Sequence, residues 1–113
     1  MLGTPGDNHV SFLAELSDRQ GVAVVSLVGE LDVYSASILR ERLGALLDDG
    51  TTSVVVNMKQ LAFIDSTGLG VIVSALKRAR VEGGDVTLEA VPPSAMKVLQ
   101  ITGLTRVFTI APE

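Results

Sequence analysis

The sequence predicts one α/β domain: a mixed sheet of four to five strands with helices packed on it. Three observations predict it. Apolar runs of strand length alternate with stretches whose apolar residues recur at helical spacing. The first two strand runs are joined by a short turn, which makes them an antiparallel hairpin. Each later strand is reached through a helix, and that kind of crossover gives parallel neighbours. With 113 residues, 47% of them hydrophobic, the chain can bury a single core. The domain is expected over residues 10–111, behind a loose leader over 1–9 rich in Gly, Pro, Asp and Asn.

Val10 to Leu16 alternates and reads as the first strand, and Ser17-Asp18-Arg19-Gln20-Gly21 has turn chemistry. Val22 to Val28 is almost wholly apolar, as in a strand covered on both faces. Gly29-Glu30-Leu31-Asp32 breaks the run. A helix is expected from Ser35 to Leu47, with Leu39, Leu43, Leu46 and Leu47 inward and Arg40, Glu41 and Arg42 in water. Asp48-Asp49-Gly50 ends it, with Gly50 as a left-handed stop. Thr52 to Met58 is the third strand, and Lys59 to Phe63 leads out of it. A second helix is expected from Ser66 to Val81, because Leu69, Ile72, Val73 and Leu76 share one face; Gly83-Gly84 ends it. Val86 to Ala90 forms a fourth strand. Pro92-Pro93 opens a third helix, since proline suits a first turn, and Gly103 closes it with Leu104 as the apolar contact. Val107 to Ile110 is a short final strand.

Composition narrows the function. Cysteine is absent, so neither a disulfide nor a thiolate metal site can form, and no metal ligand set is expected. A net charge of −4 argues against nucleic-acid binding, which needs a basic face. Stacking platforms for bases are scarce, because aromatic residues make up only 4%. No apolar run approaches the ~20 residues of a membrane span, and the leader lacks the basic and apolar regions of a signal peptide. A cytoplasmic protein without a membrane or nucleic-acid partner fits these facts.

The densest chemistry lies in Ile64-Asp65-Ser66-Thr67-Gly68-Leu69-Gly70, where a strand pattern gives way to a helical one. A helix start offers orphan N–H groups and a partial positive charge. Asp65 suits a cap, and the two hydroxyls suit the same task. Yet one cap suffices where three candidates stand. Gly68 and Gly70 in the first turns cost up to ~1 kcal/mol each against alanine. They either admit a second backbone or let the helix settle on the sheet. Ser66 does not read as a nucleophile: Ile64 stands where a nucleophile elbow carries glycine, and the single histidine, His9, is in the leader. Neither a phosphate-binding P-loop nor a dinucleotide fingerprint occurs, so no cofactor and no enzyme activity are expected. Phosphate added to Ser66 would be tolerated by the fold and would change the surface sharply. Lys77-Arg78-Ala79-Arg80 is read as cations suited to a helix C-terminus.

Three ordered motifs carry a family resemblance over about Val10 to Ile110. They are Gly29-Glu30-Leu31-Asp32-Val33-Tyr34-Ser35-Ala36, Phe63-Ile64-Asp65-Ser66-Thr67-Gly68-Leu69-Gly70-Val71 and Ile101-Thr102-Gly103-Leu104-Thr105-Arg106-Val107-Phe108. Together they resemble the anti-sigma factor antagonists, bacterial members of the STAS domain family. The resemblance implies a STAS-like fold and a partner switch. The unphosphorylated antagonist would bind an anti-sigma factor and free a sigma factor. The anti-sigma factor would also be a serine kinase acting on Ser66, and a PP2C-type phosphatase would reverse it. ATP and magnesium would belong to those partners. The implied docking residues are Asp32, Tyr34, Ser35, Asp65, Ser66, Thr67, Gly68, Leu69 and Gly70. Thr67 stands where many relatives carry a second serine, which makes it a second candidate acceptor. The alternative within the family is a scaffold subunit of a signalling or lipid-transport assembly.

Overall fold

The computed structural model describes residues 11–112. The leader expected over 1–9, with His9, and the start of the first strand at Val10 lie outside the described residues. The elements are β1 (Phe12–Arg19), β2 (Val22–Leu31), α1 (Ala36–Asp48), β3 (Ser53–Ile64), α2 (Ser66–Val81), β4 (Asp85–Glu89), α3 (Pro93–Ile101), a 3-10 turn (Leu104–Arg106) and β5 (Thr109–Ile110). The sheet has five strands in the order β1-β2-β3-β4-β5. β1 is antiparallel to β2, and every other neighbour is parallel. The expected mixed sheet is therefore present, with β5 as its fifth strand.

Alternation builds the core. Val54, Val56 and Met58 on β3 and Val86 and Leu88 on β4 are buried, while Val55, Asn57 and Thr87 between them are only partly covered. That buried face meets Leu39, Leu43 and Leu47 of α1, Leu69, Ile72 and Leu76 of α2, and Ala95 and Leu99 of α3 in one cluster. α1 and α2 also pack against each other. On the sheet's other face Arg19 reaches from the edge strand over β2 and β3. Its guanidinium donates two hydrogen bonds of 2.9 Å to the Glu89 carboxylate, which also accepts one of 2.7 Å from Asn57.

Three strands run beyond their sequence-based ends, each for a local reason. β1 continues through Asp18 and Arg19 because the hairpin needs only Gln20 and Gly21. Both have positive φ, 55° and 88°, as in the tight turns whose twist matches two paired strands. β2 passes Gly29 because that residue takes φ +96° at a register shift. A side chain there would strike the Ser11 carbonyl, so glycine lets the strand bulge instead of stopping. β3 extends past Lys59 and Gln60, which are exposed rather than terminal, and pairs with the extended end of β2. β5 is shorter than expected, because a turn at Val107 and a bend at Phe108 follow the 3-10 turn and pairing with β4 begins only at Thr109.

α2 has the limits expected of it, and α1 starts one residue later than expected. The basic residues ending α2 are tied internally: Arg78 pairs with Asp48 at 2.5 Å and Arg80 with Asp85 at 3.0 Å. No helix among the described residues is long and apolar enough to cross a membrane.

Candidate functional site

The two longest strands end side by side. Glu30 pairs with Phe63 and Leu31 with Ile64 in parallel register, so the loops that follow leave the same sheet end together. The Leu31 carbonyl accepts the Asp65 N–H at 3.1 Å, which ties the second loop to the end of β2.

Asp65 caps α2. Its backbone is extended, and its Oδ1 accepts the Gly68 N–H at 2.9 Å. The cap is thereby supplied by the acid alone. Ser66 and Thr67 occupy the first two helical positions and are exposed. Gly68 is buried against Leu31: a methyl group there would overlap its Cγ and stand 3.1 Å from its carbonyl oxygen. Gly70 is the opposite case. It is exposed, and a methyl group there would meet nothing within 4 Å. Residues three and four apart share a helix face, so Ser66, Thr67 and Gly70 form one bare, solvated strip.

The first loop is held by a small polar knot. Asp32 Oδ1 accepts the N–H groups of Tyr34 and Ser35, each at 3.0 Å, which makes an Asx-type turn. The Ser35 hydroxyl accepts the Asp32 N–H at 2.8 Å and donates to the Glu30 carbonyl at 2.7 Å. The bonds that the Asp32 carboxylate accepts, led by that from the Ser35 backbone N–H and joined by those from the Ser35 hydroxyl and the Tyr34 N–H, hold it below the ordinary aspartate range. The knot turns Tyr34 outward, 87% exposed, and Val33 beside it 58%.

A model of the STAS domain matches residues 14–113. The chain belongs to the STAS domain family. It is 38% identical to the anti-sigma-B factor antagonist of Bacillus subtilis (strain 168), over 77% of this chain and 79% of that one. Its fold matches the crystal structure of an anti-sigma factor antagonist from Mycobacterium paratuberculosis with a TM-score of 0.83 and 28% identity. That match covers 99% of this chain and 92% of the other. It also matches the Bacillus cell fate determinant SpoIIAA in its phosphorylated form, with a TM-score of 0.69, 28% identity and coverage of 90% and 92%. The STAS domain thus has relatives named as anti-sigma factor antagonists along most of its length.

The STAS fold brings the expected site residues to one sheet end but sorts them by depth. Asp32, Tyr34, Asp65, Ser66, Thr67 and Gly70 are exposed or partly so. Ser35, Gly68 and Leu69, expected with them, are buried. Ser35 is consumed by the polar knot, Gly68 by Leu31, and Leu69 by the core. They shape the surface from beneath. Sequence reasoning also passed over Val33, Ile38 and Phe63, which are 58%, 43% and 50% exposed at this end. Two signals could have found Val33 and Phe63. Val33 and Tyr34 stand together in a loop, and Phe63 sits one residue before Ile64, so alternation sends it away from the core.

Proposed function

We propose that this STAS domain is an anti-sigma factor antagonist that acts as a partner switch with Ser66 as its phosphoacceptor. Unphosphorylated, it binds a kinase-type anti-sigma factor in the cytoplasm and releases a sigma factor. Phosphorylated on Ser66, it lets go, and a PP2C-type phosphatase resets it. The observation that carries this reading is an exposed hydroxyl at the first position of α2 that is spared from capping because Asp65 does that work. The relatives' names point the same way.

The physics of the switch is local. A phosphate adds about −1.5 to −2 charges and three acceptor oxygens. The N-terminus of α2 carries a partial positive charge, so the fold can hold the group without rearrangement. A docked partner cannot: it would have to enclose a dianion that keeps its water. The chain's part is to bind and to be modified, with the phosphoryl chemistry supplied by its partners.

The test is to incubate the chain with the kinase-type anti-sigma factors of its own organism and ATP, then map phosphate by mass spectrometry. Modification at Ser66, lost in Ser66→Ala, is the expected result. A stable complex indifferent to ATP, with Ser66 unmodified, would favour the scaffold role instead.

A further inference from the structure

α1 and α2 pack side by side and run in the same direction, because each leads from the end of one strand back to the start of its parallel neighbour. Between them lies a groove of about 130 Å³. Its floor is Leu43 and Leu47 of α1 and Val71 and Ala75 of α2, all buried. Protein interiors are close-packed, so a hollow over four buried apolar residues has a cause. Gly44, which lines it, is that cause. It stands mid-way along α1, where only proline is a poorer helix former. No neighbour requires a glycine there. Its φ is not positive, and a methyl group would meet nothing within 4 Å. Gly68 is forced by Leu31, whereas a larger residue at 44 would improve the helix and close the groove. Two arginines also line it, Arg40 in the first half of α1 and Arg78 in the last turn of α2, so they stand toward its opposite ends. Arg78 is held by Asp48 and Glu82. Arg40 is exposed and makes no ion pair among the described residues.

We propose that this groove binds a small monocarboxylate, with an apolar body the size of one ring on the floor and its carboxylate on Arg40. Size sets the body. A cavity of about 150 Å³ holds one benzene ring, so a single ring or a short branched chain fits here and a nucleotide does not. Charge sets the head. A guanidinium meets a carboxylate through two parallel hydrogen bonds. Asp48 already neutralises Arg78, which leaves Arg40 as the one free cation of the groove. One free cation matches a monoanion. A phosphate dianion would ask for more positive charge than the groove holds. The ligand would bridge the two helices that begin at the motif-bearing loops. It would do so without touching Ser66, which lies two turns before Ser74 at the groove's edge. The site therefore stands or falls independently of the partner switch.

The experiment titrates the isotope-labelled full chain with benzoate at neutral pH and follows its amide signals by NMR. Saturable shifts at Gly44, Ser74 and Ala75 are expected. Benzyl alcohol keeps the ring and loses the charge, and is expected to bind at least about tenfold more weakly. Arg40→Gln is expected to reproduce that loss, and Arg40→Lys to recover part of it. Gly44→Leu fills the groove from within. It is expected to abolish the shifts and to raise the melting temperature, since leucine favours a helix over glycine. The melt separates a blocked site from a damaged fold, and the exposed Arg40 can be exchanged without disturbing the core. Wild-type signals that do not saturate would overturn the site. Benzoate binding that survives Gly44→Leu would place it elsewhere, with the same consequence. Equal affinities for benzoate and benzyl alcohol, or for wild type and Arg40→Gln, would overturn the carboxylate contact. A peptide carrying Phe beside Asp that saturates these amides where benzoate does not would make the occupant a protein side chain and overturn the small ligand.

Discussion

Leu31, at the end of β2, and Gly68, in the first turn of α2, are packed so closely that the helix has no room for a side chain at position 68. Leu31 is fully buried, so it cannot swing aside. Its carbonyl also holds the Asp65 N–H. One residue of the first motif thereby sets the height of the second. Gly68→Ala tests the joint. Alanine is worth ~1 kcal/mol more than glycine in an open helix. Overpacking costs ~1–3 kcal/mol, and more where the neighbour is immobile. The net expectation is a lower midpoint in urea and slower phosphorylation of Ser66. A more stable variant with wild-type phosphorylation would show that the contact is loose.

Ser35→Ala removes the hydrogen bonds of a buried hydroxyl. It leaves the Asp32 N–H and the Glu30 carbonyl without their partner. Leaving such groups unpaired costs ~1–3 kcal/mol. The loop that carries Tyr34 is expected to loosen as well. Amide exchange at Tyr34 and Ser35 measures this directly: faster exchange is expected, and unchanged protection would mean that Asp32 holds the turn alone.

The sheet and both long helices were legible because alternation and helical spacing are local signals. The place of Ser66 at a helix start was legible too, since Asp65 before it and the glycines after it mark such a start. What escaped depends on depth and on pairing across the sheet. Ser35 and Ser66 are the same residue type, each at the start of a helix. Only the tertiary structure turns one hydroxyl inward to Glu30 and leaves the other in water. Gly68 and Gly70 differ in the same way, because their roles depend on whether Leu31 lies beneath them. The extensions of β2 and β3 required a bulge at Gly29, and the polar pair Lys59-Gln60 hid it by breaking the alternation.

Gly70→Ala is expected to move stability and docking in opposite directions. Space around Gly70 is open and its backbone is helical, so alanine stabilises the fold by up to ~1 kcal/mol. The added methyl group stands on the strip shared with Ser66 and Thr67, where the proposed switch brings a partner close. Weaker binding with a raised melting temperature is the expected pair of results. Equal affinity would mean that the partner does not lie over this turn.

Glu89 gives the fold an acid limb. The hydrogen bonds from Arg19, and then from Asn57, pull its carboxyl down to about 2 from an ordinary value of 4.5. A carboxyl whose folded pKa is depressed stabilises the fold fully above its unfolded pKa. That contribution is lost as pH falls from about 4.5 through about 2. Arg19→Ala is therefore expected to lower stability at neutral pH and to flatten its decline between those values. Urea melts across that range, wild type against variant, measure it. Parallel curves would assign the acid sensitivity to other carboxylates. Arg19 is itself largely exposed, so the effect at neutral pH is small.

Ser66→Asp separates the charge from the fold. The site is exposed and lies at a helix N-terminus, where an acid is favoured. Exposed substitutions of this kind change stability by no more than about 0.5 kcal/mol, so the melting temperature is expected to stay close to that of wild type. Docking is expected to weaken by about tenfold or more, because even a single carboxylate must lose water beneath the partner of the proposed switch. The true phosphate carries about −1.5 to −2 charges, so the phosphorylated chain is expected to bind more weakly still. That order distinguishes a desolvation gate from a refolding one. A refolding gate predicts displaced α2 amide signals in the phosphorylated chain and little effect of aspartate. The surface gate predicts graded loss of affinity along Ser, Asp and phosphoserine on an unchanged backbone. Chemical shifts and Kd values for the three forms decide between them.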